Sequence, residues 1–439
     1  MSLRIVKRAL CAALLLSAAP IVAATPGSAP LQFGQAASVA DPAVAAFYQR
    51  RGNQPLWLTP ANRGAAATLV NLLRRAELDG LASGPALAAE AEAAIARAAG
   101  GNAGEILAAE HLLSAVWVRY VNALRTPSAG MTYADSSLAP RRPGAELILH
   151  QAGAASSLAE HVTSIARVNP IYAELRDAAW AQAQAAGGID ARILANLERA
   201  RALPGSGRYV LVDAAAARLY MVDNGEVVDS MKVVVGKPDS QTPMIASRIH
   251  YATLNPYWNV PGDLTQKLIA PRVLAEGVKY LKARGYQVLS GFEEDAAVLD
   301  PSSVDWKAVA DGRLEVRVRQ LPGGSNAMGD VKLFFENSGG IFLHDTPDKA
   351  LFAKAQRNFS NGCVRLEDAR RLTRWLAGSE LRPTSAEPEQ HVRLRQGVPI
   401  YITYLTAQAS GGQLTFLDDV YGHDVGTRVA GNSFAVTAR

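Results

Sequence analysis

The chain has 439 residues, 49% of them hydrophobic and 19% charged, enough for two or three domains each with its own core. That balance excludes a disordered chain, and two Cys exclude a disulfide-stapled miniprotein. The net charge is +5, but Arg4, Lys7 and Arg8 precede the first acid at Asp41, so the remainder carries about +2 and has no basic run suited to nucleic acid.

Residues 1–24 have the three parts of a secretory signal peptide: a short basic start, an apolar run over 9–19, and small residues Val22, Ala23 and Ala24 before a cleavage point. A retained anchor is the alternative. No later stretch reaches 18 apolar residues, so no membrane span is expected after cleavage. Export places the protein in the periplasm, and removal of Cys11 with the signal leaves Cys363 as the one thiol. Such a thiol pairs between chains, sits buried and inert, or acts as a nucleophile.

Residues 25–40, rich in Ala, Pro, Gly and Ser, read as a linker. From 41 to 203 the chain is Ala-rich with helical periodicity, as in Leu69, Leu72, Leu73 and Ala76 and again in Leu112, Leu113, Val116 and Tyr120. Breakers cluster at Leu203-Pro204-Gly205-Ser206-Gly207, the expected boundary. Beyond Arg208 the period shortens to two. Strands are predicted at 209–212, 218–222, 227–235, 248–254, 314–318, 332–335, 341–343 and 400–404, with Asp223-Asn224-Gly225 as a hairpin turn. Residues 261–311 read as an insertion of short helices and loops, including a helix over 273–281. The tail after 407 is expected to add little. The fold class is therefore multidomain α and β: a helical scaffold, then a mainly-β domain over 208–406 with a helical/loop insertion.

The chemistry gathers in Gly340–Arg365, GIFLHDTPDKALFAKAQRNFSNGCVR. A predicted strand delivers His344 at its end. Ser360-Asn361-Gly362-Cys363 then leads into a predicted helix bearing Leu366, Ala369, Leu372 and Leu376 on one face, stopped by Gly378. A thiol at a helix start is stabilised as thiolate by unpaired N–H groups, so its pKa is expected below the ordinary value of about 8.5. Gly362 allows a sharp turn in which its own N–H and that of Cys363 face a developing oxyanion. His344 is placed to take and give the proton, with a backbone carbonyl rather than Asp345 orienting its ring, because adjacent strand residues point to opposite faces. Arg365 holds either a substrate carboxylate or a structural ion pair. Ser360 either bonds within the site or caps the helix, the cap being favoured. Phe342 and Trp258 either wall a cleft or belong to the core. The seven His lie scattered without metal-ligand spacing, so neither metal nor cofactor is expected.

This constellation resembles the L,D-transpeptidase (YkuD-type) catalytic domain, whose signature is a His followed by Ser-x-Gly-Cys-x-Arg; here 19 residues separate His344 from Cys363. The segments MKVVVGKP from Met231, Gln241-Thr242-Pro243, LNPYWNVP from Leu254, RQLPGGSNAMG from Arg319 and His344-Asp345-Thr346-Pro347 are similar to the larger YcbB-like members, in which a helical scaffold precedes the catalytic domain. Two departures stand out. Asn361 occupies a position where His is widespread and Ser occurs, and Asn cannot titrate, which leaves base work to His344 alone. No stretch has room for a small peptidoglycan-binding module. The resemblance implies acyl transfer on peptidoglycan stem peptides: Cys363 takes a donor tetrapeptide as a thioester, and the side-chain amine of an acceptor diaminopimelate completes a 3→3 cross-link. Wall synthases are the implied protein partners, carbapenems the implied inhibitors. A cap over the cleft formed by 261–311 is also implied. The residues alone leave open a cysteine hydrolase (L,D-carboxypeptidase or amidase) and a non-catalytic wall-binding scaffold.

Overall fold

The computed structural model describes residues 41–293 and 295–424, so the signal segment, the linker and residues 425–439 lie outside the described residues. Eight helices come first: α1 Pro42–Arg50, α2 Arg63–Arg74, α3 Gly84–Ala98, α4 Ala103–Leu124, α5 Ala145–Ala154, α6 Leu158–Arg167, α7 Pro170–Ala186 and α8 Ala191–Arg201. Their starts follow capping chemistry. Asp41, Asn102, Ser157, Asn169 and Asp190 each accept a backbone N–H of the first turn through the side chain. Between α4 and α5 a two-residue strand, β1 Thr132–Tyr133, leaves the helices to run parallel to a strand of the β domain. None of the described helices is long and apolar enough to cross a membrane.

The strands after α8 are β2 Arg208–Asp213, β3 Arg218–Asp223, β4 Glu226–Gly236, β5 Ile245–Leu254, β6 Trp258–Val260, β7 Tyr286–Leu289, β8 Val298–Leu299, β9 Arg317–Gln320, β10 Val331–Phe335, β11 Leu343–His344, β12 Asn358–Ser360, β13 Val364–Leu366, β14 Gln390–Thr403, β15 Ala407–Ser410 and β16 Gln413–Phe416. Eight of them pair in the order β5-β10-β11-β13-β4-β3-β2-β14, and β14 returns to β5, closing the sheet on itself. Period-two patterning explains the closure. Val210, Val212, Leu219, Met221, Ile400 and Ile402 point inward to one core, while Tyr209, Leu211, Val222, Ala246 and Tyr401 point outward into the core of the helices.

A separate small sheet, β6-β9-β7-β8, packs with the helix Ala270–Glu276 around Val260, Val273, Leu281, Val288, Trp306 and Val318. The expected insertion at 261–311 is thus wider, since its outer strands are β6 and β9. It also contains strands at 286–289 and 298–299 where only helices and loops were expected, because runs of four and two residues carry little period. β14, with 14 residues, is nearly three times as long as predicted: exposed His391, Arg393 and Arg395 alternate with Val392 and Leu394 along its first half, a period-two signal that sequence reading passed over.

Two expectations fail near the nucleophile and at the tail. No helix follows Cys363. Val364 and Leu366 are buried on either side of Arg365 as strand β13, paired with β11 and β4. The helix begins only at Ala369, capped by Asp368, whose carboxylate accepts the Arg371 N–H at 2.9 Å. The segment after 407 is no inert tail. β15 and β16 form a hairpin, Asp424 bridges Arg192 (3.0 Å) and Arg199 (2.8 Å) of α8, and Tyr421 is buried with its hydroxyl donating to the Gly236 carbonyl at 2.6 Å.

Candidate active site

Strands β11 and β13 run side by side in parallel, with Leu343 opposite Val364 and His344 opposite Arg365. Alternation then sends Phe342, His344, Cys363 and Arg365 to one face. That face borders a cleft of about 870 Å³, lined on the barrel side by Lys332, Ile341, Phe342, His344, Ser360, Asn361, Cys363 and Arg365. The opposite wall includes Trp258, Pro261, Leu264 and Leu268 of the inserted subdomain. All the side chains singled out from the sequence therefore meet in one place.

His344 is 3% exposed, and its Nδ1 lies 2.6 Å from the backbone carbonyl of Asp345, which leaves Nε2 for chemistry. The Asp345 carboxylate turns away to Lys349 (2.6 Å) and the Asp330 N–H (3.1 Å). Burial, reinforced by the neighbouring positive charges of Arg365 and Lys332, pulls the imidazole down to about 4. Cys363 is a free thiol that donates weakly to the Gly340 carbonyl at 3.7 Å. Burial pushes this thiol up, more than the Phe342 N–H, Lys332 and Arg365 pull it down. The expected thiolate at a helix start is thus corrected: no helix follows directly, so no helix-start array of free N–H groups faces the sulfur, and burial favours the neutral forms of both the thiol and the imidazole.

Ser360 is not a helix cap. Its hydroxyl donates to the Cys363 carbonyl at 2.5 Å and accepts the Gly362 N–H at 3.2 Å, closing the turn that carries the nucleophile. Gly362 has φ +111°, a conformation that favours glycine, and its N–H is spent on Ser360 rather than turned to the cleft. Asn361 is exposed at the rim, and Trp258 packs against Tyr286 at 6.2 Å while facing the cleft.

Sequence reading missed two supports. Thr242, buried, donates its hydroxyl to the Gly362 carbonyl at 2.7 Å and accepts the Gly236 N–H at 2.8 Å. Behind it, Gln241 pairs with His423 at 2.8 Å. The only signal was the Gln-Thr-Pro segment itself, which names no partner. Thr242→Val removes the hydroxyl at constant volume and takes a partner from both the Gly362 carbonyl and the Gly236 N–H, each worth about 1–3 kcal/mol. We expect acylation of Cys363 to slow by roughly tenfold through misplacement of the turn, with substrate affinity unchanged. Single-turnover mass spectrometry measures the first and calorimetry the second.

Residues 207–429 match the family described as YkuD, the L,D-transpeptidase catalytic domain, and residues 42–178 match a Scaffold domain. The chain belongs to the L,D-transpeptidase family, and its enzyme class is that of the acyltransferases. A Haemophilus influenzae protein named "Putative L,D-transpeptidase" is 25% identical over 394 residues, 87% of this chain and 78% of that protein. An L,D-transpeptidase from Mycobacterium smegmatis aligns over 45% of this chain and 59% of its own at 14% identity and a TM-score of 0.22. L,D-transpeptidase 1 of Mycobacterium tuberculosis gives 45%, 62%, 13% and 0.20.

Proposed function

We propose that the protein forms 3→3 cross-links in peptidoglycan through a thioester on Cys363. The observation that carries this reading is that His344 ends β11 and Cys363 immediately precedes the neighbouring parallel strand β13, both lining one cleft. The Cys363 sulfur attacks the carbonyl carbon at the L-centre of diaminopimelate in a donor tetrapeptide, and its proton passes to Nε2 of His344. The oxyanion is met by the Cys363 N–H. As the C–N bond breaks, His344 returns that proton to the departing amine of D-Ala. In the second half the side-chain amine of an acceptor diaminopimelate attacks the thioester carbon. His344 takes a proton from it, the C–S bond breaks, and the thiolate leaves to be reprotonated.

The reaction requires an exported protein, so residues 1–24 act as signal peptide and the site of action is the periplasm, beside wall synthases. A carbapenem, whose β-lactam carbonyl is strained and activated, acylates the same sulfur.

Incubating the mature protein with disaccharide-tetrapeptide muropeptides tests the proposal. Mass spectrometry should find 3→3 dimers, and one carbapenem mass should add to the protein; Cys363→Ala should do neither. Tripeptide monomer as sole product would instead make the enzyme a carboxypeptidase, and no turnover with no adduct would overturn the reading.

A further inference from the structure

We propose that Lys332 is the anchor for the terminal carboxylate of the donor peptide, an assignment that rests on the acyl-transfer reading above. Lys332 lies on β10 directly opposite His344 on β11, and His344 lies directly opposite Arg365 on β13. Residues opposed in this way leave the same face of a sheet, with Cβ atoms ~5 Å apart. The cleft wall therefore carries the row Lys332, His344, Arg365, with the imidazole between two cations.

The Lys332 ammonium rests 3.8 Å from the centre of the Phe342 ring, inside the cleft rather than beyond its rim. Among the described residues no carboxylate oxygen reaches within 4.0 Å of it. Glu389, the carboxylate whose charge is felt there, is committed to the Tyr257 N–H at 2.7 Å and lies 4.0 Å from His391. Burial lowers the pKa of the ammonium, so its charge is costly to keep there. A fold that keeps such a charge unpartnered in its reaction cleft leaves the counter-charge to a ligand.

The chemistry says which ligand group fits. His344 hands its proton to the amine of the leaving residue. In an α-amino acid the carboxylate is attached to the very carbon that bears that amine. A cation one strand away from the imidazole is therefore within reach of this carboxylate while the amine sits at Nε2. Lys332 so selects donors that end in a free carboxylate one residue past the bond to be broken.

Calorimetry on Cys363→Ala protein, with the tetrapeptide ending in D-Ala and its D-alaninamide twin, tests this without turnover. A charge-assisted hydrogen bond predicts that the free acid binds about 10- to 100-fold tighter than the amide. Lys332→Met should abolish that preference, and Lys332→Arg should keep most of it. Equal binding of acid and amide to the protein with Lys332 in place overturns the assignment whether or not the variants fold. So does a preference that survives Lys332→Met or vanishes in Arg365→Met alone. Acid-selective binding by Lys332 in a protein whose Cys363 form makes no acyl-enzyme would sink the transpeptidase reading while leaving the anchor standing.

Discussion

Acylation of Cys363 by the donor peptide is expected to hold a plateau from about pH 5 to 8 and to fall only as pH drops through about 4. A neutral imidazole is the form able to accept the thiol proton, and burial beside Arg365 and Lys332 keeps His344 in that form far below the ordinary value of about 6.5. Alkylation by iodoacetamide, which needs no proton transfer to the leaving group, should instead climb with a midpoint above the ordinary thiol value of about 8.5, because burial holds the proton on sulfur. His344→Ala should slow acylation about 10²- to 10⁴-fold and leave the alkylation midpoint nearly in place. An acylation limb near neutral pH, or an alkylation midpoint below the thiol reference, would restore a resting ion pair and refute the neutral one. The same shift bears on stability. Between pH 6.5 and 4 the unfolded chain takes up a proton at His344 that the folded chain does not, so folding weakens as pH falls through that window.

The largest stability effect is expected far from the cleft, at Glu110 of α4. Its carboxylate is fully buried and accepts the backbone N–H groups of Leu56 (2.8 Å), Trp57 (3.0 Å) and Leu58 (2.7 Å) together with the Tyr48 hydroxyl (2.7 Å). The three N–H groups belong to a loop that cannot pair them in a helix or a strand. Glu110→Ala orphans the three N–H groups in a dry interior, where each costs ~1–3 kcal/mol, while the Tyr48 hydroxyl keeps Ser114, so a loss of at least about 3 kcal/mol is expected in urea unfolding. Glu110→Gln keeps one acceptor oxygen and turns the other position into a donor among donors, so it should recover only part of that loss. A change under 1 kcal/mol for the Ala variant would show that water replaces the carboxylate.

What could be read from residues alone followed a physical divide. The helices between 42 and 201 declared themselves through apolar spacing and breaker clusters, and β2, β3 and β4 through period-two patterning around Asp223-Asn224-Gly225. His344 and Cys363 stood out because side-chain chemistry is local information. Lys332 did not, since its meaning comes from the register that sets it across from His344. The helix anticipated after Cys363 failed for a similar reason: Leu366 fits the 3.6-residue spacing of Ala369 and Leu372, and only the pairing of β13 with β4 assigns it to a strand. Thr242 and Tyr421 act through backbone carbonyls 120 and 185 residues away, a separation that no pattern encodes.

The outward row of Tyr209, Leu211, Val222, Ala246 and Tyr401 has a consequence for how the molecule comes apart. Severing the chain at Pro204–Gly207 would strip the barrel of its greasy back and the helices of their floor, so neither fragment should be soluble alone. Calorimetric melting of the intact protein should accordingly show one sharp endotherm instead of two.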